Sequence, residues 1–323
     1  MDVLSVEPLD GDVLSWLGAR HAVQVAPELA HDSGAFRKAL ALARAVIVPP
    51  TVAIDAATLK GASRLRIVGR LSGGADNIDL AACAQAGVEV ARPASAAAQA
   101  EAEFIIAALL QMLRRVPVRN AEGLLLGREL GGSVVGLIGM TPAVRHLAPL
   151  LAAFGAQVLA YDPGVHASDP VWARLGLEPL GLRELLRQSD AVCVLLSYFP
   201  RYIGLFGERL LGECKPDQVL VSLSHSSLFN EAALARTLRE GPLAAAWFDS
   251  MEPGALDPGR PLFHIDTLQV TPRISGLTLQ SRKRSAWALV TRIDELLAAP
   301  ARADFSGGLS GVPLGPEGGP RPA

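Results

Sequence analysis

In the run Gly139, Met140, Thr141, Pro142, Ala143, Val144, followed roughly twenty residues on by Asp162, the residue types suit a nucleotide. A glycine closing a strand lets the backbone turn sharply beneath a pyrophosphate. An acid closing the next strand accepts hydrogen bonds from the adenosine ribose, which favours NAD over NADP. The turn departs from the full G-x-G-x-x-G pattern. Of its three glycines only Gly139 is present, Pro142 has no N–H to offer, and the Thr141 hydroxyl can cap helix amides that an anion would otherwise use. Gly139, Met140, Thr141, Ala143 and Asp162 are therefore candidate NAD contacts, with an ordinary buried βαβ unit as the alternative. Arg145 and His146, next in the chain, offer side-chain cations, although a solvated helix face is the plainer expectation.

These residues need a strand, a helix and a second strand to position them. Val134, Val135, Leu137 and Ile138 form the short apolar run of a parallel strand buried on both faces. A helix is expected next, with Thr141 as N-cap, Pro142 at the first helical position and Leu147, Leu150, Leu151 and Phe154 on one face. Pro149 predicts a kink within it, Gly155 ends it, and residues 158–161 form the second strand.

The rest of the chain supplies strands and helices in alternation, which implies parallel sheets. Strands are expected at 4–6, 22–25, 45–48, 65–68 and 88–91. Val13, Trp16 and Leu17, then Phe36, Leu40 and Leu42, mark helices between them. The loop Ser72, Gly73, Gly74, Ala75, Asp76 follows a strand end. It reads either as a ligand loop or as an ordinary turn ahead of a helix opening at Asp79. A long apolar helix over 98–115 leads out of this unit. Beyond it come strands at 191–196, 219–223, 243–248 and 268–271, helices at 182–188 and from Asn230, and a helix over 280–298 that crosses back. The expected architecture is α/β, with two Rossmann-like or flavodoxin-like domains and an interdomain cleft. Residues 1–103 plus 285–299 make the substrate-binding type of domain and 104–284 the dinucleotide-binding domain. Residues 300–323, rich in Gly, Pro and Ala, are expected to be disordered.

Composition narrows the classes of function. At 323 residues and 50% hydrophobic the chain can bury a large core. Lys+Arg 30 against Asp+Glu 32 gives no reason to expect nucleic acid or an anionic membrane as partner. The acidic start carries no secretory signal, no apolar run is expected to cross a membrane, and a cytoplasmic location follows by default. Cys83, Cys193 and Cys214 lack metal-ligand spacing and read as buried thiols. His21, His31, His166 and His264 have no partner at metal-ligand spacing and read as solvated, so no metal is expected. Arg282, Lys283 and Arg284 are too short a basic run for nucleic acid.

Beyond the tail the chain resembles the NAD-dependent D-isomer-specific 2-hydroxyacid dehydrogenases. The segments that carry the likeness are IVGRLSGGADNIDLAACAQAGVEV, ELGGSVVGLIGM, LVSLSHSSLFNEAALARTLREGPLAAAWFDSMEP and LQVTPRISGLT, in that order. The resemblance implies Ser72, Gly73 and Gly74 as the substrate loop, Asp249 near the nicotinamide, and a homodimer through the nucleotide domain. It also implies three catalytic positions: an arginine for the substrate carboxylate, a histidine for the C2 oxygen and a glutamate paired with that histidine. His225 stands where the arginine belongs, Gly254 where the glutamate belongs and Arg273 where the histidine belongs. Ser72 and Ser197 replace a usual glycine and proline.

Two functions fit so altered a trio best, with different chemistry in the same cleft as a third. In one, the roles are exchanged: Arg273 clamps a small carboxylate while His225 serves as acid and base. In the other, the fold no longer transfers hydride and persists as a ligand-binding or protein-interaction module. The exchange leaves the histidine without an acidic partner unless Glu252, two residues from Gly254, substitutes after a loop shift; a solvated loop carboxylate is the plainer expectation for it.

Overall fold

The computed structural model describes residues 1–72, 74 and 77–299. Gly73 of the expected substrate loop and the tail expected to be disordered lie outside the described residues. Two parallel sheets carry the architecture. The first is built from β1 (Val3–Ser5), β2 (Val23–Val25), β3 (Ala45–Ile47), β4 (Ile67–Gly69) and β5 (Glu89–Ala91), in the order β2-β1-β3-β4-β5. This is the flavodoxin-like winding. Neighbouring residues serve opposite faces, as the pleat requires. Leu4, Val46 and Val68 enter one core, while Val3, Ala45 and Ile67 enter another with Leu289, Val290 and Ile293 of the helix Leu279–Ala298. Gly69 allows that helix to approach, since a Cβ there would lie 2.8 Å from Leu289 Cδ1.

A short antiparallel hairpin, β6 (Val118–Arg119) and β7 (Leu125–Leu126), leads to the second sheet. This sheet contains β8 (Val134–Ile138), β9 (Gln157–Tyr161), β10 (Glu178–Pro179), β11 (Ala191–Val194), β12 (Gln218–Ser222), β13 (Leu243–Phe248) and β14 (Leu268–Val270). Its order is β10-β9-β8-β11-β12-β13-β14, with every pair parallel. The order reverses between β8 and β11, so the carboxyl ends of these strands frame the crevice where such sheets hold ligands.

The helix Ala98–Arg115 covers one face of this sheet through Ile105, Leu109, Met112 and Leu113. The span Ser95–Arg115 is long and apolar enough, by length and composition, to cross a membrane. The expectation that no run reaches that length is thereby corrected. Its apolar face is occupied by the protein core, alongside Val135, Leu147 and Val221.

Three local expectations also change. The helix after Gly139 runs from Val144 to Ala153 with Ala143 as its N-cap and no side-chain cap bond, so Thr141 does not cap it and Pro142 precedes it. Leu42 lies beyond the helix Ser33–Leu40 and is 58% exposed. The edge strand β10 and the hairpin were not anticipated, because two-residue strands carry no periodicity to read.

Candidate active site

At the end of β8, Gly139 has φ +108, and a Cβ on it would lie 2.6 Å from the backbone carbon of Leu195. Only glycine fits there. The turn that follows is closed largely by its own amides. Val144 N–H donates to Thr141 O (3.1 Å), Arg145 N–H to Pro142 O (3.3 Å) and His146 N–H to Ala143 O (3.0 Å). Asp162, at the end of β9, accepts the Met140 N–H at Oδ2 (2.6 Å) and the Gly164 N–H at Oδ1 (2.7 Å). The expected ribose acid thus also braces the phosphate turn. Arg145 and His146 both face solvent.

The loops after β12 and β13 bring the other candidates together. His225 accepts the Ser227 N–H at Nδ1 (3.3 Å), with Ser227 Oγ 2.7 Å from the same nitrogen. Because an N–H points at Nδ1, that nitrogen carries the lone pair and the ring hydrogen sits on Nε2. Nε2 lies 3.0 Å from Glu252 Oε1. The Glu252 N–H in turn donates to Ser226 Oγ (3.1 Å), which fixes the backbone that presents the carboxylate. The Tyr198 ring lies over the imidazole at 4.8 Å between centroids. Glu252 is exposed, as the sequence suggests, but it also has a partner. With its side chain 52% exposed it pairs with His225 where it stands.

Arg273 belongs to the same loop system. It has φ +54, its N–H donates to Asp249 O and Thr271 O, and its Nε donates to Ser250 Oγ at 3.3 Å. The turn is held by Asp249, buried at 5% exposure. Its Oδ1 accepts from Thr271 Oγ1 (2.8 Å) and the Ile274 N–H (2.9 Å), and its Oδ2 accepts the Ser275 N–H (3.0 Å). These bonds give Asp249 a second task beside the nicotinamide-end role expected of it: it locks Arg273 into a left-handed conformation. Across the turn, the Glu101 carboxyl has its proton affinity raised by burial and, secondarily, by the Asp249 charge.

On the first sheet's side, Ser72 Oγ accepts from Nε of the buried Arg70 at 3.0 Å, and Gly74 is half-buried. Gly73, between them, lies outside the described residues.

Residues 106–275 match the family description "D-isomer specific 2-hydroxyacid dehydrogenase, NAD binding domain". The chain belongs to the D-isomer specific 2-hydroxyacid dehydrogenase family. It is 31% identical over 287 residues to D-3-phosphoglycerate dehydrogenase of Mycobacterium tuberculosis, covering 85% of this chain and 53% of that protein. It thus spans about half the length of the curated relatives it matches first. It is 29% identical over 308 residues to (S)-sulfolactate dehydrogenase of Chromohalobacter salexigens, covering 93% of this chain and 99% of the relative. The crystal structure of the apo form of D-mandelate dehydrogenase from Rhodotorula graminis superposes with a TM-score of 0.77 at 22% identity, covering 91% and 93% of the two chains, a likeness of fold.

For the NAD that this family's domain implies, the residues fit at the ribose. Each Asp162 oxygen accepts a single amide, and a carboxylate oxygen has capacity for a further donor. At the pyrophosphate the set of donors is smaller than in a glycine-rich turn, since Met140 is engaged by Asp162 and Pro142 has none.

Sequence reasoning missed the parts played by Glu252, Ser227 and Tyr198. The i, i+2 spacing of His225 and Ser227 was the one available signal for a locally held ring. Among the histidines, His21 is corrected as well: it is not solvated but lies 2.8 Å from Asp294 Oδ1. Among the described residues no group of three or more His, Cys, Asp or Glu is placed to hold a metal. All three cysteines are buried, and burial pushes the Cys193 and Cys214 thiols up to about 12.

Proposed function

We propose that the protein is an NAD-dependent oxidoreductase for a small 2-keto or 2-hydroxy acid, with catalytic roles exchanged between the two altered positions. The observation that carries this reading is the loop after β13, which touches both residues. Ser250 meets Arg273, and two residues later Glu252 meets His225 at 3.0 Å. The acidic partner that an exchanged histidine needs is therefore supplied from the loop that also meets the arginine. Arg273 holds the substrate carboxylate as a planar two-pronged donor, assisted by Ser72, Gly73 and Gly74 from the first sheet. His225 and Glu252 together exchange the proton at the C2 oxygen. NAD, when bound, supplies the hydride acceptor or donor. Gly139, Met140, Thr141, Ala143, Asp162 and Asp249 line its place.

Residues 1–103 plus 285–299 form the substrate-binding unit in this reading, and 104–284 the dinucleotide unit. Leu124, Leu125 and Leu126, all 49–59% exposed on the hairpin, support pairing of two copies through the nucleotide unit. The smaller set of amides at the pyrophosphate favours weak NAD binding. It also supports a second reading, a cofactor-binding or protein-interaction module without hydride transfer.

Calorimetric titration with NADH, NADPH and ADP-ribose, followed by a screen of short 2-keto acids, separates these readings. The expected result is weak NADH binding, weaker NADPH binding and turnover of at least one acid. Binding without turnover would leave the module. No binding of any of the three at millimolar concentration would remove the cofactor.

A further inference from the structure

The loop that leaves β11 carries aromatic and cationic side chains that the chemistry proposed above does not use. Its start is fixed beside the turn at 139–144, where the Leu195 N–H donates to Ile138 O (2.7 Å) and the Leu195 backbone lies against Gly139. Its far end returns to the neighbourhood of Asp162. Tyr202 packs on the same core as Tyr161, and burial, then the nearby Tyr202 and Asp162, push the Tyr161 hydroxyl up. Strand order reverses between β8 and β11, so this loop borders the crevice from the turn to the acid.

Between those two ends, Phe199 and Tyr202 meet edge to face with ring centroids 5.8 Å apart. The Arg201 guanidinium lies over both rings, 5.0 Å from Phe199 and 4.9 Å from Tyr202, and donates through Nη2 to the Tyr202 hydroxyl (3.1 Å). Tyr202 is half-buried and anchors the group, whereas Arg201 is exposed and Phe199 is 47% exposed. Tyr198, one residue earlier, is committed to His225. Phe199 is left as an open apolar face beside a planar cation.

We propose that Phe199 and Arg201 form a stacking platform for the adenine of the dinucleotide, so that this chain holds its cofactor chiefly by the adenosine half. The inference rests on the cofactor part of the function proposed above and not on the exchanged roles of His225 and Arg273. With the ribose held at Asp162, the base attached to it falls within reach of the loop end that packs beside Tyr161. The pyrophosphate contributes less than in a glycine-rich turn, because the Met140 amide is engaged by Asp162 and Pro142 has none. Stacking carries the remainder through the π-face of the base, and the guanidinium adds a cation–π contribution.

Calorimetric titration of the full chain with NADH, AMP and nicotinamide mononucleotide tests the platform. AMP should bind more tightly than nicotinamide mononucleotide; the reverse order overturns the inference. Phe199→Ala should weaken NADH and AMP about tenfold each, the loss of one base–aromatic stack. Phe199→Trp keeps a ring and should hold both affinities, which separates a lost stack from a disturbed fold. Arg201→Lys keeps the charge without the plane and should weaken both about threefold. Reduced nicotinamide hypoxanthine dinucleotide alters the edge of the base but keeps its face, and should bind within about threefold of NADH. Unaltered NADH and AMP affinities in Phe199→Ala overturn the platform and leave the cofactor reading standing. Rejection of the hypoxanthine dinucleotide by tenfold or more also overturns it, because the base would then be read at its edge. If no nucleotide binds the unaltered chain at millimolar concentration, the cofactor reading falls and takes the platform with it.

Discussion

The turn at residues 139–144 and the loops that carry His225 and Arg273 have both departed from their family's pattern, but in opposite ways. At 139–144 the departures lower the number of available donors. Two glycines are gone, one amide is lost to Pro142, and Met140 is held by Asp162. At 225–273 the departures complete one another. A histidine in place of arginine finds a carboxylate 3.0 Å away and a serine on its other nitrogen, and an arginine in place of histidine sits on a turn locked by three donors to Asp249. The difference has a physical origin. Backbone amides can be lost one at a time without unfolding the strand–helix joint. A half-buried imidazole left without partners carries a desolvation penalty that favours a mutually satisfied set.

If the second region is an assembled site, the sharpest break comes at its centre. His225→Asn should lower the rate of 2-keto acid reduction by roughly a hundredfold to ten-thousandfold with little change in KM, read by steady-state kinetics. Equal rates for the variant and the unaltered chain would mean that the cluster is structural. Arg273→Met comes next in size. It should raise KM for small 2-keto acids about ten- to a hundredfold with kcat less affected, the loss expected from a hydrogen-bonded charge pair. A loss confined to kcat would place Arg273 on the proton path instead.

The fold was legible because its signals repeat. Apolar runs of strand length, separated by helical patterns, marked eleven of the strands in the two parallel sheets, and Asp79 and Asn230 were readable as caps, as their bonds to the Ala82 and Ala233 amides bear out. The site was legible only in part, because its partners are set by loops. Nothing in the order Asp249, Ser250, Met251, Glu252 fixes which way the fourth residue turns. The pairing with His225 depends on the Glu252 N–H reaching Ser226, a contact between two loops. Thr141 was misread for a related reason: a hydroxyl ahead of a helix suits a cap, but the turn was closed by carbonyls of residues 141–143.

The first region can be sharpened through Asp162, which braces the turn through the Met140 and Gly164 amides and, in the proposed reading, also serves the ribose. Asp162→Asn should weaken NADH about tenfold and leave NADPH nearly unchanged, narrowing the preference between them in calorimetric titration. The amide side chain still accepts at one oxygen, but its NH₂ group confronts an N–H where the carboxylate accepted. A preference that does not narrow would show that the selectivity resides elsewhere.

The smallest expected effect lies where the turn carrying Arg273 meets the helix Ala98–Arg115. Glu101 is desolvated and faces the Asp249 charge, both of which favour its protonated form, so its folded-state proton affinity is raised above that of the unfolded chain. The folded state therefore binds more protons than the unfolded state between the ordinary glutamate range, about 4.3, and the raised value. Stability falls as pH climbs through that window and stays lowered above it. Glu101→Gln removes the titration while keeping the shape, and should raise the urea midpoint at pH 8 but leave it nearly unaltered below about pH 4, where both chains are neutral at this position. The same substitution leaves Asp249 with its three donors, so the turn carrying Arg273 should keep its conformation and the KM for 2-keto acids should hold. A midpoint that drops at pH 8 would mean that the Glu101 carboxylate is held by a favourable partner, and a KM that rises with it would place this carboxyl among the groups that meet the substrate.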